Sequence, residues 1–266
     1  MDYTRMTVRW VARAGYGARG LVYLALGALT FNAALEFDEV EDVHGAMREI
    51  GHQTGGDIVL FGLAAGLLAY GLWRFVQTTL DVDGHGWRPT ALAIRGGLLV
   101  SAALHISLAW GCIQIAMRWS GGNGKPVQRA VERILDWPAG RMLVIAGGGA
   151  AIVGAGVAHL VKAVRCGYRK WFEASPRAMA WIDPVARFGL FARGLLFLGV
   201  GGFVLYAALT LDPSDARGVE GVMLWIQDRL YGRIMLAGLA LGLIAFGAYG
   251  LIEAFVRRVG LGATLR

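Results

Sequence analysis

Six long apolar stretches constrain this chain more than any other feature of its sequence. They run over residues 15–35, 58–77, 91–117, 142–164, 188–211 and 234–256. Each has roughly the 20 residues that a helix needs to cross the hydrocarbon core of a bilayer. Only 17% of the residues are charged, which is low for a soluble domain. The sequence therefore predicts an all-α polytopic integral membrane protein with six transmembrane helices.

The first apolar stretch also has features of a secretory signal peptide. Arg5, Arg9 and Arg13 precede it, and the small residues Ala33 and Ala34 lie near its end. A close copy of the same segment occurs far into the chain, where no signal peptide is expected. We therefore interpret the first stretch as a helix of the mature protein.

The stretches form three pairs. Residues 12–24 recur as residues 186–198 with eight of thirteen positions identical, and a shorter copy at 94–99 aligns Arg95 with Arg19 and Arg193. The second stretch of each pair repeats at 69–74, 157–162 and 248–253. Repetition at a fixed period indicates tandem structural units. The predicted hairpin repeats are 1–86, 87–182 and 183–266.

Two spans in each repeat give all three copies the same orientation. Parallel repeats of this kind are related by an axis along the membrane normal, which predicts a pseudo-threefold bundle. Pairs of small residues four positions apart are expected to pack the helices closely. These pairs are Gly62/Gly66, Gly147/Ala151, Ala150/Gly154 and Gly238/Gly242.

A short amphipathic segment separates the two spans of each repeat. These segments are 44–56, 127–140 and 219–232. Their apolar and charged positions suit helices lying in the outer interface of the membrane. An ordinary polar loop is the alternative, particularly for the first segment, which contains Gly45 and Gly51.

Two motifs carry a family resemblance. Arg-x-Gly-x-x-Ala-Arg-Gly-Leu occurs at 13–21 and 187–195, and Ala-Tyr-Gly-Leu occurs at 69–72 and 248–251. Together with three tandem pairs of spans, they resemble the bacterial family catalogued as domain of unknown function 1206, over about residues 9–256. The middle repeat departs from the pattern at Pro89 and His159. The resemblance implies the architecture and a bacterial inner membrane, and it implies no activity, catalytic residue or cofactor.

The net charge of +7 is unevenly divided between the two faces. The face with both termini carries 17 Lys/Arg and 6 Asp/Glu, whereas the opposite face carries 9 Lys/Arg and 13 Asp/Glu. The positive-inside rule then predicts that both termini are cytoplasmic. Attraction to the anionic inner leaflet accounts for the basic charge, so we expect a lipid bilayer as partner and no nucleic acid.

Polar residues of the repeats fall at the cytoplasmic ends of the spans. One set is Arg19, Arg95 and Arg193, and the other is Arg74, Lys162 and Glu253. Around an axis they would form a ring of five cations and one carboxylate. In one interpretation the basic side chains reach outward and anchor the protein at the headgroups. In the other they face the bundle and bind an anionic headgroup or solute.

The first outer connection contains two Glu-x-x-His spacings, Glu41/His44 and Glu49/His52. Such pairs bind metals when separate facing helices supply them together with further carboxylates. Here both pairs lie on one short segment, so they are weak metal-site candidates. A solvated acidic loop is the preferred interpretation.

Two histidines lie within the spans. His105 is near the middle of the third stretch and His159 is toward the cytoplasmic end of the fourth. Because axial haem ligands share one depth, this offset disfavours a bis-histidine haem. The sequence therefore gives no reason to expect a cofactor.

No span carries the paired ionisable residues that intramembrane catalysis needs, so the sequence predicts a protein that is not an enzyme. We expect a scaffold, or a protein that binds lipid or a membrane-protein partner. The alternative is a small transporter or channel with a pathway on the pseudo-threefold axis. The polar residues that could border such a pathway are Thr30, Asn32, Ser101, Ser107, Gln114 and Thr210.

Overall fold

The structure is a computed structural model that describes residues 3–36, 43–81, 86–118, 126–137 and 139–258. Within these ranges the chain is helical and has no strand. The helices are α1 (Tyr3–Glu36), α2 (Val43–His52), α3 (Gly56–Thr79), α4 (Pro89–Ala116), α5 (Pro126–Leu135), α6 (Gly140–Leu143), α7 (Ala151–Val164), α8 (Pro176–Thr210), α9 (Val219–Gln227) and α10 (Gly232–Val256). A π-helical segment, Val144–Ala150, joins α6 to α7.

Six helical segments of the described chain are long and apolar enough to cross a membrane. The first, second and third spans are α1, α3 and α4, the fourth runs from α6 through α7, and the fifth and sixth are α8 and α10. The all-α prediction with six spans is confirmed. Helices α1 and α8 begin well before the apolar stretches, because hydropathy marks the part in lipid and not the helix start. For α8 the start is local: the Ser175 hydroxyl accepts a hydrogen bond from the Ala178 amide, and Pro176 occupies the first turn.

The three outer segments are helical, as α2, α5 and α9. Each is followed by a tight turn in which a glycine begins the next span. In each turn, the carbonyl oxygen of the isoleucine six residues before this glycine lies where a Cβ on the glycine would have to fit. The glycines are Gly56, Gly140 and Gly232, and the isoleucines are Ile50, Ile134 and Ile226. The turn is thus a structural repeat in its own right, and only glycine fits it.

These outer helices pack into the bundle as well as covering it. Met47 of α2 is buried in a cluster with Leu60 and Cys112, and Met223 of α9 is buried with Leu26 and Leu236. Apolar contacts therefore fill the half of the bundle that contains α2 and α9, between the first, second and third spans and between the first, fifth and sixth.

The spans are arranged as an arc. The first span packs against the second and the sixth, the second against the third, and the fifth against the fourth and the sixth. Three hairpins around one axis would give this order, together with an interface between the third and fourth spans. Those two spans share no comparable interface in the described residues. They also have the lowest share of buried residues, 28% in the third span and 19% in the fourth. Pseudo-threefold closure therefore stays a prediction, and the arc is open at this place.

The predicted small-residue pairs are correct at only some positions. A Cβ at Gly66 or Gly242 would collide with an alanine of a neighbouring helix. Gly62, Gly147, Gly154 and Gly238 instead have open space around them. Sequence spacing identifies a small-residue stripe but does not say which neighbour it faces.

Candidate functional site

The candidate site begins where the first and sixth spans approach most closely. A Cβ at Gly20 would lie 2.8 Å from the Gly247 carbonyl oxygen, and one at Gly250 would lie 2.9 Å from the Gly20 Cα. Larger side chains here would force the helices apart. This close approach brings Arg19 of α1 against Glu253 of α10.

Arg19 and Glu253 form a buried ion pair. The Arg19 Nη2 donates to Glu253 Oε2 at 2.6 Å, and its Nη1 donates to the Tyr70 hydroxyl at 2.7 Å. The two residues are only 5% and 1% exposed. Removing either charge would leave the other buried and uncompensated, which is costly in a low-dielectric interior.

Glu253 holds further donors around its other oxygen. The Tyr249 hydroxyl donates to Oε1 at 2.9 Å, and Arg257 forms an ion pair with the same oxygen. Lys162 of the fourth span donates to the Tyr249 hydroxyl at 3.0 Å. A single carboxylate thus organises groups from the first, fourth and sixth spans.

The second span completes this arrangement through Tyr70. The Tyr70 hydroxyl accepts hydrogen bonds from Arg19 and from Arg74 Nε, the latter at 2.9 Å. We define the cationic cluster as Arg19, Arg74, Lys162, Arg193 and Arg257 together with Glu253. Arg193 joins the cluster through the Phe246 ring, whose centre lies 4.4 Å from its guanidinium and 5.1 Å from that of Arg19. Five of the six residues predicted from the sequence are thus brought together.

Arg95 is the predicted residue that lies elsewhere. Its Nε donates to the Thr78 carbonyl at 2.8 Å, and its guanidinium lies 4.4 Å from the centre of the Trp87 ring. It therefore binds the carboxyl end of α3. The packing of α3 against α4 does not support the alignment of Arg95 with Arg19 and Arg193. A Cβ at Gly71 would lie 3.1 Å from the Ala102 carbonyl oxygen, so the close contact between these helices is at Ala102 and not beside Arg95.

A Cβ at Gly96, the residue after Arg95, would have nothing of the described chain within 4 Å, whereas Ala102 meets Gly71 as Gly20 meets Gly250. Ala102 therefore corresponds to Gly20, and Ser101 corresponds to Arg19. The structural equivalents are thus Arg19, Ser101 and Arg193. The middle repeat has lost this arginine, and Arg95, six residues earlier, has a separate role.

Arg193 differs from Arg19 in having no hydrogen-bond partner among the described residues. It is 8% exposed, and its Nε and Nη1 are buried without a partner. Its guanidinium instead lies 4.6, 4.8 and 4.4 Å from the ring centres of Tyr23, Phe197 and Phe246. Cation–π contacts compensate part of the desolvation of a buried guanidinium, but they supply no counter-charge.

The two intramembrane histidines are bonded within their own helices. Each Nδ1 lies 2.7 Å from the carbonyl oxygen four residues earlier, Ser101 for His105 and Ala155 for His159. A carbonyl only accepts, so Nδ1 carries the proton in both rings. His105 packs against Tyr70, and His159 packs against Phe197. His105 is thus a packed, hydrogen-bonded side chain.

The metal-site candidates do not come together in the described chain. Glu41 lies outside the described residues. The ring of His44 lies beside Gly111, and Glu49 and His52 are not buried. In the part of the chain that the structure describes, no group of three His, Cys, Asp or Glu side chains could hold a metal ion.

Sequence reasoning missed three members of the site. Tyr70 and Tyr249 lie inside the quoted Ala-Tyr-Gly-Leu motif, and their hydroxyls join the charged groups. Arg257 lies just beyond the last apolar stretch, four residues after Glu253, a spacing that places two side chains on one helix face. Both signals were present in the sequence.

Comparison with known proteins agrees with the repeats. The pattern of the family described as Domain of Unknown Function (DUF1206) matches residues 14–81, 96–165 and 188–257. These three segments coincide with the three predicted pairs of spans.

The chain is also 30% identical over 259 residues to a Bacillus subtilis (strain 168) protein described as uncharacterized protein YxxB, covering 96% of this chain and 94% of that protein. No solved structure matches significantly. Three matched segments and a relative of nearly equal length show that the chain belongs to the DUF1206 family.

Proposed function

We propose that this protein is a non-enzymatic integral membrane protein that binds the anionic headgroup of a lipid at the cytoplasmic face of the bacterial inner membrane. The supporting observation is the charge balance of the cationic cluster, which holds five basic side chains and one carboxylate, and in which Arg19 and Arg257 are the only two of the five that contact that carboxylate. An excess of buried cations in a low-dielectric environment favours the binding of an anion. Arginine forks suit phosphate oxygens in particular.

The placement of the cluster also argues against simple anchoring at the headgroups. A snorkelling arginine exposes its guanidinium at the membrane surface. Arg19 and Arg193 are instead buried inside the arc, at 5% and 8% exposure. Arg19 is already paired with Glu253, so the charge that a ligand entering the bundle could bind is that of Arg193.

A pathway along the axis has less support. Thr30 is fully buried and donates to the Leu26 carbonyl, next to the apolar cluster of Leu236 and Leu243. Thr210 is exposed and bonded to Asp215. Asn32 and Ser107 are also exposed. Since these polar groups do not share one lining, transport stays the alternative function.

The test is lipid analysis of the purified protein. Lipids extracted from protein in mild detergent are quantified by mass spectrometry and compared with the bulk membrane. We expect anionic phospholipid to be enriched several-fold, and we expect the thermal midpoint in nanodiscs to rise when phosphatidylglycerol replaces phosphatidylcholine, because a ligand that binds the folded state stabilises it.

Bulk-like lipid with no change in midpoint would contradict the proposal. Solute flux across liposomes that carry the protein, absent from protein-free liposomes, would favour the transport alternative. Arg95→Gln is the control, because this buried arginine lies outside the cationic cluster and should leave both readouts unchanged.

A further inference from the structure

We propose that the anion-binding group is the Arg193 guanidinium and that its ligand is the phosphodiester of a phospholipid that enters sideways through the opening between the third and fourth spans. This inference rests on the proposed function and names the ligand and the site within it. Its starting point is a buried cation that has no counter-charge in the part of the chain that the structure describes.

The repeats explain why Arg193 lacks a partner. Arg19 faces Glu253 across the interface between the first and sixth spans. The equivalent interface lies between the fifth and fourth spans, where Gly194 packs against Gly156 as Gly20 packs against Gly247. The residue equivalent to Glu253 there is Lys162.

The repeat therefore places a lysine where its counterpart has a carboxylate. Lys162 is directed to the Tyr249 hydroxyl. An external anion would supply the charge that the fourth span does not.

The opening of the arc gives access to this position. His159 lies on the inner side of the fourth span, against Phe197 and Phe246, and is nevertheless partly exposed. Phe197 and Phe246 are two of the rings that enclose Arg193. The route from the opening to the guanidinium is therefore short.

The depth of the site suits a lipid. Gly194 contacts Gly156 and Leu160, four to eight residues before the fourth span ends at Val164. At 1.5 Å per residue this is roughly 6 to 12 Å inside the helix end. A lipid phosphate drawn inward by about that distance would meet the guanidinium while its acyl chains remain in the hydrocarbon.

The surroundings of the opening are also apolar. Leu99 and Leu104 of the third span and Val157 and Val161 of the fourth are exposed, so both spans that border the opening present apolar side chains to lipid. Acyl chains can pack against such side chains, whereas a free solute gains nothing from them. The combination of one guanidinium with exposed apolar flanks fits a phospholipid better than inorganic phosphate.

The experiment compares variants of Arg193 in the full-length protein. Wild type, Arg193→Leu, Arg193→Lys and Arg95→Leu are purified in detergent, and the phosphatidylglycerol retained per protein is measured by mass spectrometry. We expect at least a tenfold loss in Arg193→Leu and an intermediate loss in Arg193→Lys, which keeps the charge but not the fork. Arg95→Leu is expected to retain the wild-type amount.

Each variant is also tested for folding and for the source of the anion. Thermal midpoints are measured with phosphatidylglycerol and, separately, with inorganic phosphate in lipid-free detergent. Leucine in an aromatic cage should fold, and loss of lipid with a normal elution profile supports the site. Stabilisation of wild type by phosphate alone, equal to that by phosphatidylglycerol, would overturn the lateral entry of a lipid.

Other outcomes separate this inference from the proposed function. If wild type retains no anionic lipid, both fail. If Arg193→Leu retains lipid that is lost in Lys162→Gln, the proposed function stands and the Arg193 site is wrong. If wild type forms a dimer that buries the third and fourth spans and excludes lipid, a second copy occupies the opening and the inference also fails.

Discussion

The buried carboxylate of Glu253 offers the most direct test of the charge balance in the cationic cluster. Glu253→Gln removes the negative charge and changes the volume little. The amide keeps one acceptor oxygen, but its NH₂ group then faces a cationic donor, Arg19 or Arg257. Breaking a buried ion pair by neutralising one partner costs about 3–5 kcal/mol. Because Glu253 is only 1% exposed, we expect Glu253→Gln to lower the free energy of unfolding by an amount in this range.

The assay is reversible unfolding, or the thermal midpoint, in a neutral detergent that supplies no anion. The matched control is Glu173→Gln, because Glu173 pairs with Arg258 at 61% and 64% side-chain exposure. An exposed pair contributes about 0–1 kcal/mol. If Glu253→Gln shifted the free energy of unfolding no more than Glu173→Gln does, the ion pair would not stabilise the bundle and the argument from charge balance would be refuted.

Three further predictions follow from the structure. A C-terminal fusion to a reporter that works only in the cytoplasm should be active, whereas a fusion to one that works only outside the cell should be inactive. The opposite result would contradict the predicted cytoplasmic C-terminus. Gly247→Leu should destabilise the protein by about 1–3 kcal/mol in thermal unfolding, because a Cβ there would meet Leu24 at 2.7 Å, whereas Gly238→Leu on the same helix has open space and should be near neutral. Tyr168→Phe should lose about 1 kcal/mol, since the hydroxyl donates to Asp183 at 2.9 Å. Burial and this hydrogen bond raise the pKa of Tyr168, so the difference should persist at neutral pH and shrink as the pH rises above the ordinary pKa of tyrosine.

The six spans were predictable because membrane insertion depends on a property that is summed along the chain. A run of apolar residues identifies a span whatever its neighbours are. The three outer helices were predictable in part, from their amphipathic patterns. The turns between them and the next spans carry an Ile-x5-Gly signature at 50–56, 134–140 and 226–232 that sequence reasoning did not use.

The register of the middle repeat was harder to predict. Arg95 offered a plausible match to Arg19 within a copy of only six residues, and the alignment that includes Ser101 conserves no charge. The contact between Gly71 and Ala102 decides between them, and it involves two helices. Pairwise packing of this kind is not a local property of either helix.

The opening between the third and fourth spans was not predictable for a related reason. Their stretches are as apolar as the others, because lipid and protein interiors favour the same side chains. Hydropathy therefore gives the same signal for a helix that closes the bundle and for one that borders an opening. The exposed Leu104 and Val157 become informative only once the neighbours of each span are known.

The difference between Lys162 and its equivalent, Glu253, leads to a final prediction, in which one substitution gives Arg193 an internal counter-charge. Lys162→Glu would place a carboxylate on the fourth span at the position that corresponds to Glu253 of the sixth, opposite the span that carries Arg193. If Arg193 needs an anion, an internal carboxylate should replace the lipid. We expect retained phosphatidylglycerol to fall as far as in Arg193→Leu, while the thermal midpoint in neutral detergent rises. Lys162→Gln, which removes the lysine charge without adding a carboxylate, should not raise the midpoint equally. Wild-type lipid retention in Lys162→Glu would mean that the lipid is held by another group, because a satisfied Arg193 has no remaining charge to offer.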